Sequence, residues 1–569
     1  MARRRAPGAV ALGPAGGVPF TGMNSAAAGA LVGPGQATTC QNCDFADGTL
    51  RGMYGGGTTV ATLAASKQHV HYENALGWVA QTEDSWHLYD SKGDGGYYSF
   101  FNDGSSVYYS NGTRQKQVMG LAAPGSAATQ NTGGGTARYF RYTYTTDGST
   151  YAPMESNPST ASASLSATIV EVTGTTNAQV AKIYLYATVD ATSSAGPYYK
   201  VGEANNPGTA TAVNITPDVA TSTSATRLDW ESQGRKTQAY YDFDHAPAPG
   251  VNTIGSSLHA AVATGSSIAP CSGILFYGIA NYLMWSQAGY PWYVPGLNAF
   301  NAGGYIEAIV TSQAVTYVLT RREIYVVTGY DDQELTIQRS DSPFGTTYGQ
   351  SACITPYGLV FQAEAGLALF DGNTSRVITA DILAPTELYG RQFASAWRDG
   401  QLLMVSQNDS NGGYVVDFSR FPELVVTKHN LGTRAITQAL AHPSSTHDEG
   451  TYICMWSDGT VKKWHPRQRG NVSGASAQAW SWTSGRLDGG KPNAVKHFRR
   501  IWVEASGTIS IAVKCWTNAA TQVGSTQTVT GNTWLSATFV GDYLTLEVSS
   551  SDGTGVVYGV KVEYEAAGG

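Results

Sequence analysis

Residues 351–379 read SACITPYGLVFQAEAGLALFDGNTSRVIT, a pattern of short apolar runs between glycine-containing turns. The runs fall at 352–355, 359–363 and 367–370, and the sequences Pro-Tyr-Gly and Glu-Ala-Gly separate them. This pattern predicts three antiparallel strands, with Asp371-Gly372 ending the third. None of the runs is long enough for a helix with a core-facing stripe. A sheet of three such strands is not stable alone, so the chain must supply more of them.

The same pattern returns along the chain at a regular interval. Further strand groups begin near residues 273, 307, 393 and 438, so that consecutive starts, with 352 included, lie 34, 45, 41 and 45 residues apart. A period near 40 residues with three or four strands in each repeat is typical of β-propeller blades. Short aromatic strands within 70–119, with a turn at Asp103-Gly104, add one more repeat. The pattern predicts about six blades, the first strands or platform in 39–120 and the remaining blades in 245–475.

Other regions of the chain do not follow this period. Residues 137–216 contain five to seven strand-like runs with frequent turns, which predicts an inserted β-sandwich of fibronectin or immunoglobulin type. Apolar residues alternate again within 479–569, which predicts a C-terminal β-domain. Residues 121–136 have the composition of a linker, and 1–38 are rich in Gly, Ala and Pro, which predicts an extended N-terminal arm that a partner would order. The predicted fold class is all-β.

Composition narrows the possible function classes. Charged residues make up 14% of the 569 residues, and 35 Lys and Arg against 42 Asp and Glu give a net charge of −7. Tight binding to nucleic acid needs clustered Lys and Arg, so the chain as a whole is not a basic nucleic-acid binder. No apolar run approaches the ~20 residues that cross a bilayer, which predicts no membrane-spanning segment. The first residues, MARRR, precede a run interrupted by Gly and Pro, which favours an arm over a signal peptide.

The six cysteines do not form a recognisable framework. Cys40 and Cys43 have the Cys-x-x-Cys spacing, but a zinc site would need a second ligand pair, and only His69 and His71 lie nearby. A redox motif would need a thioredoxin-like context, which the surrounding sequence lacks. The remaining cysteines are widely scattered, which favours buried free thiols in a reducing compartment.

Motifs for enzymatic chemistry are missing from the sequence. It contains no phosphate-binding loop, dinucleotide fingerprint, zinc-protease motif or nucleophile elbow. The best enzyme hypothesis is a propeller glycosidase, which would need two or three facing carboxylates. Candidates for that role, which also suit turns, are Asp84, Asp90, Asp94 and Asp103. Aromatic residues that would stack on sugars, or pack a core, are Tyr97, Tyr98, Tyr108 and Tyr109.

Six stretches, taken in order, resemble one protein family. They are 40–52 (with Asp-Gly-x-Leu-Arg-Gly), 139–159 (with Glu-Ser-x-Pro-Ser), 282–292 (Tyr-x-x-x-Ser-x-x-Gly-x-Pro), 322–329 (Arg-x-x-Tyr-x-x-x-Gly), 366–378 (Gly-Leu-x-x-x-Asp-Gly) and 482–564. The order of these stretches resembles that in the tail nozzle or hub proteins of short-tailed bacteriophages, also called tail tubular protein B or phage stabilisation proteins. The match extends over most of the chain, although each motif consists mainly of turn residues.

The resemblance implies a structural protein of the virion tail, present in the host cytoplasm during assembly. A homohexamer would continue the channel below the portal and the head-to-tail adaptor, and would contact tail fibres or tailspikes. It would retain packaged double-stranded DNA and pass it through the lumen at ejection. The family implies no enzyme activity, so no catalytic, cofactor-binding or metal residues are carried over. Exposed sandwich edges and an apolar arm suit a ring in which subunits cover each other.

Two alternatives remain open at this point. One is a carbohydrate-binding or carbohydrate-cleaving β-propeller, and the other is an adhesion or scaffold protein with the same folds. Six-fold rings would separate the nozzle from a monomer that releases sugars from a host polysaccharide.

Overall fold

The computed structural model describes residues 8–566 with gaps. The gaps are 15–16, 28–31, 46–47, 54–58, 63–68, 74–76, 82–87, 91–96, 103–106, 111–116, 119–120, 152–154, 157, 195–197, 219–267, 287, 289–297, 313, 407–411, 430–435, 442–451, 457–459, 465–476, 490–493 and 518–520. The chain divides into two compact units, one formed by Met1–Gln68 with Thr346–Gly569 and the other by His69–Gly345.

Five short strands begin the chain within the first unit. They are β1 (Gly8–Leu12), β2 (Ala37–Gln41), β3 (Cys43–Asp44), β4 (Leu50–Gly52) and β5 (Thr59–Thr62). Strands as short as these are unstable by themselves. All but β3 pair with a strand from a much later part of the chain.

The second unit contains a hairpin and three four-stranded antiparallel meanders. The hairpin joins β6 (His69–Glu73) to β7 (Gly77–Gln81). The first meander is β8 (Leu88–Asp90), β9 (Tyr97–Asn102), β10 (Val107–Ser110) and β11 (Gln117–Val118). Six strands that follow in the chain, β12–β17, form a separate domain. The second meander is β18 (Ile268–Cys271), β19 (Ile274–Ile279), β20 (Tyr282–Trp285) and β21 (Ala299–Asn301). The third is β22 (Ile306–Ser312), β23 (Val315–Thr320), β24 (Ile324–Thr328) and β25 (Thr336–Arg339).

The separate domain is a β-sandwich inserted between the first and second of these meanders. Its strands are β12 (Thr129–Arg138), β13 (Phe140–Thr145), β14 (Leu165–Thr173), β15 (Lys182–Thr188), β16 (Tyr198–Asn205) and β17 (Ala212–Ile215). They form the sheets β12-β14-β17 and β13-β15-β16. Phe140, Tyr142, Val170, Ile183 and Leu185 lie fully buried in their shared core. Burial of each such side chain contributes roughly 1.5–3 kcal/mol, which accounts for the packing of the two sheets.

The prediction of a linker at 121–136 is wrong for its second half. Residues from Thr129 onward form β12, which pairs with β14 and carries the sequence TQNTGGGTAR. The sequence contains no apolar side chain larger than Ala, so the periodicity that identifies other strands is absent here. Backbone hydrogen bonds to β14 hold this strand instead.

Three further meanders lie in the first unit. They comprise β26 (Cys353–Thr355), β27 (Gly358–Ala363), β28 (Gly366–Phe370), β29 (Ser375–Val377); β30 (Phe393–Arg398), β31 (Gln401–Ser406), β32 (Gly413–Asp417), β33 (Val425–His429); and β34 (Ile436–Ala441), β35 (Tyr452–Trp456), β36 (Thr460–Trp464). A short helix, α1 (Pro385–Leu388), precedes β30. The N-terminal strand β5 pairs with β36 and completes the last sheet. Each meander therefore has four strands.

The C-terminal β-domain consists of two sheets that also take in the N-terminal strands. Its own strands are β37 (Trp480–Ser484), β38 (Lys496–Ser506), β39 (Ile509–Trp516), β40 (Thr521–Val523), β41 (Gln527–Val529), β42 (Thr533–Gly541), β43 (Tyr543–Ser550) and β44 (Val556–Ala566). One sheet has the order β3-β4-β44-β38-β42, with β1 paired to β44. In the other, β2 lies between β33 and β37. Buried Trp482, Ile501 and Leu546 belong to a common core.

The predicted fold class is confirmed: the chain is all-β, with β-propeller meanders, an inserted sandwich and a C-terminal β-domain. The residues quoted first, 351–379, form the predicted strands and a fourth one, β29, that the prediction missed. The N-terminal arm, which we expected a partner to order, is paired with the C-terminal domain of its own chain, since β1 runs antiparallel to β44. Within the described part of the chain, no helix is long and apolar enough to span a membrane.

Candidate functional site

The carboxylates of the glycosidase hypothesis are not brought together by the described residues. Asp84, Asp94 and Asp103 lie outside the described residues, and Asp90 is the last residue of β8. Asp371 has the turn role that its sequence suggests, because its carboxylate accepts hydrogen bonds from the backbone N–H groups of Asn373 and Thr374. The described residues contain no group of three or more His, Cys, Asp or Glu side chains arranged to hold a metal ion.

The Cys-x-x-Cys pair is part of the packed core. Cys40 and Cys43 are free thiols and buried, as are three of the other four cysteines, while Cys353 is partly exposed. The Sγ of Cys43 lies 3.1 Å from the carbonyl oxygen of Ser481, to which it donates. Burial raises the pKa of Cys43 well above its usual range, and its contact with Cys40 acts in the same direction. Because the reactive form of cysteine is the thiolate, this environment makes Cys43 a poor nucleophile.

A buried carboxyl group lies in the sandwich, within the motif Glu-Ser-x-Pro-Ser. The side chain of Glu155 is only 3% exposed, and its Oε1 accepts hydrogen bonds of 2.6 Å from the hydroxyl groups of Thr143 and Tyr186. Burial raises the pKa of Glu155 to about 7, although those two hydrogen bonds and the charge of Lys200 oppose the shift. The carboxyl group is therefore partly protonated near neutral pH.

Three serines after Glu155 cover the edge of β13 in a regular ladder. The backbone N–H groups of Tyr144, Tyr142 and Phe140 donate to the hydroxyl oxygens of Ser156, Ser159 and Ser162 at 2.8–3.1 Å, one serine for each alternate strand residue. The carbonyl oxygens of the same strand residues accept hydrogen bonds from the backbone N–H groups of the same serines. An uncovered strand edge invites pairing with another chain. This edge of the sandwich is therefore already occupied, contrary to the expectation that the sandwich edges are exposed.

The opposite sheet keeps an open edge at β12. Six consecutive residues, Thr129 to Gly134, are exposed on both faces of the strand, and β14 is the neighbour of β12 in its sheet. The register between them shifts at three places, and only five of the ten residues of β12 have a partner on β14. Among the described residues, β12 is thus an edge of the sandwich that is accessible to another chain.

A polar cleft of about 600 Å³ lies in the first unit beside the N-terminal segment. The segment contributes Thr21, Asn24 and Gln36, and other lining residues include Asp381, Arg420 and the stretch 422–425. Charges of both signs line the cleft, so its composition does not select a cation or an anion.

Comparisons with known proteins do not identify a family. No protein-family model matches the chain, and no curated protein matches it. Among solved structures, Sqt1 of Saccharomyces cerevisiae is similar with a TM-score of 0.29 and 10% identity, over 73% of this chain and 100% of that chain. An exo-β-1,3-galactanase from Phanerochaete chrysosporium has a TM-score of 0.21 and 10% identity, over 52% of this chain and 95% of that chain. PorZ of Porphyromonas gingivalis has a TM-score of 0.25 and 9% identity, over 56% of this chain and 42% of that chain. Likenesses this weak have no bearing on function.

Proposed function

We propose that the protein is a structural component of a short-tailed phage tail, a nozzle or hub that assembles as a homohexameric ring. The observation that supports this most directly is the order of its parts. A β-sandwich follows the first four-stranded meander, five further meanders come next, and a C-terminal β-domain ends the chain. The resembled family has the same order.

The structure assigns local roles to residues of the motifs that carry the resemblance. Glu155, Ser156 and Ser159 secure an edge of the sandwich. Gly366 has φ +143°, which suits the turn between β27 and β28, and Asp371 ends β28 with a side-chain turn. Ser286 accepts a hydrogen bond from the backbone N–H of Leu275. These residues support the architecture, in keeping with a protein that acts by assembly.

The open edge of β12 is consistent with assembly into a ring. A strand that is exposed on both faces and underpaired gains hydrogen bonds when another chain lies beside it. The proposed partners are other copies of the chain, the head-to-tail adaptor, tail fibres or tailspikes, and double-stranded DNA in the lumen. The proposed location is the virion tail, with the host cytoplasm as the place of assembly.

A test of this role compares phage particles assembled with and without the chain. We expect particles that lack it to package DNA and then lose it, because the channel below the adaptor is left open. Released DNA is measured as nuclease-sensitive DNA in purified particles. If particles that lack the chain hold their genomes as well as complete particles do, the proposed role is wrong. The purified full-length protein, incubated with host polysaccharide, tests the rival hypothesis, since release of sugars by an isolated monomer would favour a carbohydrate-cleaving propeller.

A further inference from the structure

The outer face of the sheet β42-β38-β44 carries exposed aromatic rings. Trp534 of β42 and Tyr558 of β44 are each 41% exposed, and Trp502 of β38 is partly exposed. Trp502 lies directly opposite Trp534 in the strand register, with ring centroids 5.2 Å apart and planes inclined by 54°. The hydroxyl group of Tyr558 lies 3.2 Å from that of Ser506, which places Tyr558 on the same face. A cluster of exposed aromatic side chains, unlike a single one, marks a candidate interaction site.

The tryptophans on this face differ from the other tryptophans of the domain in the hydrogen bonding of their indole N–H groups. The indoles of Trp480, Trp482 and Trp516 each donate a hydrogen bond to a named acceptor, as a buried or half-buried tryptophan usually does. Trp502 and Trp534 have no such bond among the described residues. Their N–H groups are therefore available as donors to a ligand.

A glycine leaves a gap in the row of side chains near Trp502, whose partner on β44 is Lys561. Gly559 lies opposite Glu504 in the register, between Tyr558 and Lys561 along β44, so the face carries no side chain at this position. A Cβ atom built on Gly559 would lie 3.7 Å from Oε2 of Glu504 and 3.3 Å from the carbonyl oxygen of Leu12. Glu504 has no hydrogen bond or ion pair with other described residues, so its carboxylate is a free acceptor beside the gap.

The other charges on the face neutralise one another. Arg500 forms an ion pair of 2.7 Å with Glu563, which also contacts Lys561 at 3.2 Å, and the Arg500 guanidinium lies 4.0 Å from the centre of the Trp534 ring. With Glu504 included, two positive and two negative groups leave no net charge. A polyanion such as nucleic acid would require an excess of positive charge. A neutral ligand with many hydroxyl groups fits this face better.

We propose that this face, formed by Trp502, Trp534, Tyr558, Glu504 and Gly559, binds a neutral saccharide. The apolar side of a pyranose ring would pack against the indole of Trp502 above the gap at Gly559. Sugar hydroxyl groups would donate to Glu504 and accept from the free indole N–H groups. This site goes beyond the tail role proposed above and does not depend on it.

The first experiment measures binding of the full-length protein to an array of neutral hexose oligomers, with sulfated oligomers as the charged comparison. The best neutral oligomer is then titrated against the protein by isothermal calorimetry and tryptophan fluorescence. We expect Trp502→Ala to weaken its binding at least about tenfold, which corresponds to about 1.4 kcal/mol. Trp516→Ala is the matched control, because Trp516 lies on β39 in the other sheet and stacks on Tyr543. It should bind as the unsubstituted protein does.

Gly559→Leu provides a second variant that keeps every ring in place. A Cβ atom at this position would lie 3.3 Å from the carbonyl oxygen of Leu12, a close contact that a small shift of β1 must relieve, so the melting temperature of the variant is measured alongside its binding. Its side chain covers the position beside Glu504 and should prevent binding. Absence of binding to all neutral oligomers would overturn the proposal. So would binding that both Trp502→Ala and Gly559→Leu leave unchanged, or binding confined to sulfated oligomers and lost at high salt. None of these outcomes would affect the proposed ring.

Discussion

Replacing Glu155 with Gln should abolish a pH dependence in the stability of the sandwich. Glu155 is buried, and its pKa is raised from 4.5 to about 7, so the folded state favours the neutral carboxyl group. In the unfolded state the group ionises at lower pH. Between these two pKa values the folded state binds a proton that the unfolded state does not, and the free energy of unfolding therefore falls as pH rises.

The size of the effect follows from the two pKa values. A difference of one pKa unit corresponds to about 1.4 kcal/mol, so raising the pH from 4.5 to 7 should lower the free energy of opening by about 3 kcal/mol. The contribution of this group levels off about one pH unit above its folded-state pKa of about 7. Gln keeps an oxygen acceptor for the hydroxyl groups of Thr143 and Tyr186 but cannot ionise. Above pH 7 the Glu155→Gln sandwich should therefore be the more stable of the two.

Hydrogen exchange in the full-length protein measures the pH dependence of stability within the sandwich alone. Peptides that cover β13 and β15 report the opening of the sheet beside Glu155, and mass spectrometry at several pH values gives the free energy of opening after correction for intrinsic exchange rates. The difference in the free energy of opening between Glu155→Gln and the unsubstituted protein should change by about 3 kcal/mol between pH 4.5 and 8.

Glu171→Gln is the matched control for this experiment, since Glu171 is a partly exposed carboxyl group on β14 of the same domain. It reports what the loss of a carboxylate elsewhere in the sandwich does to the free energy of opening. If the unsubstituted protein and Glu155→Gln changed in parallel over the whole pH range, Glu155 would have to ionise as readily in the fold as in water. That result would refute the assignment of a buried neutral carboxyl group.

Three further changes test other parts of the structure. Ser159→Ala removes the acceptor of the buried Tyr142 N–H and should cost about 1–3 kcal/mol of sandwich stability, measured by denaturant unfolding, whereas Ser149→Ala at an exposed loop should cost little. Leu12→Ala truncates a side chain that is 4% exposed in the C-terminal core and should cost about 2–5 kcal/mol, with faster hydrogen exchange in β1 and β44. Burial lowers the pKa of His429 from 6.5 to about 4, so lowering the pH from 6.5 to 4 should destabilise the first unit by about 3 kcal/mol, and His429→Gln should lose this dependence.

Local signals in the sequence were sufficient to predict most of the strands. The turns at Gly358 and Gly366 have φ of +134° and +143°, values that favour glycine, which is why the strands of 351–379 were predictable. The strand β29 was missed because it is three residues long and partly polar. The strand β12 was missed because it has no apolar alternation to identify it.

Pairing between distant parts of the chain could not be predicted in the same way. Nothing in residues 8–12 or 59–62 indicates that they pair with β44 and β36, since a short strand can pair with any free edge. The burial of Glu155 and the exposure of Trp502 depend on what the rest of the chain places against them. The alternation within 479–569 predicted a β-domain, but alternation in the sequence does not tell whether the polar face of a strand binds a ligand.

The mass of the assembled protein tests the central claim most directly. A homohexamer of this 60.1-kDa chain has a mass of six times that value, about 361 kDa, and should appear by native mass spectrometry of the tail assembly released from purified particles. We expect that species, together with a six-fold ring in images of the same sample. If the protein is absent from the particles, or present only as a monomer, the proposed ring is wrong.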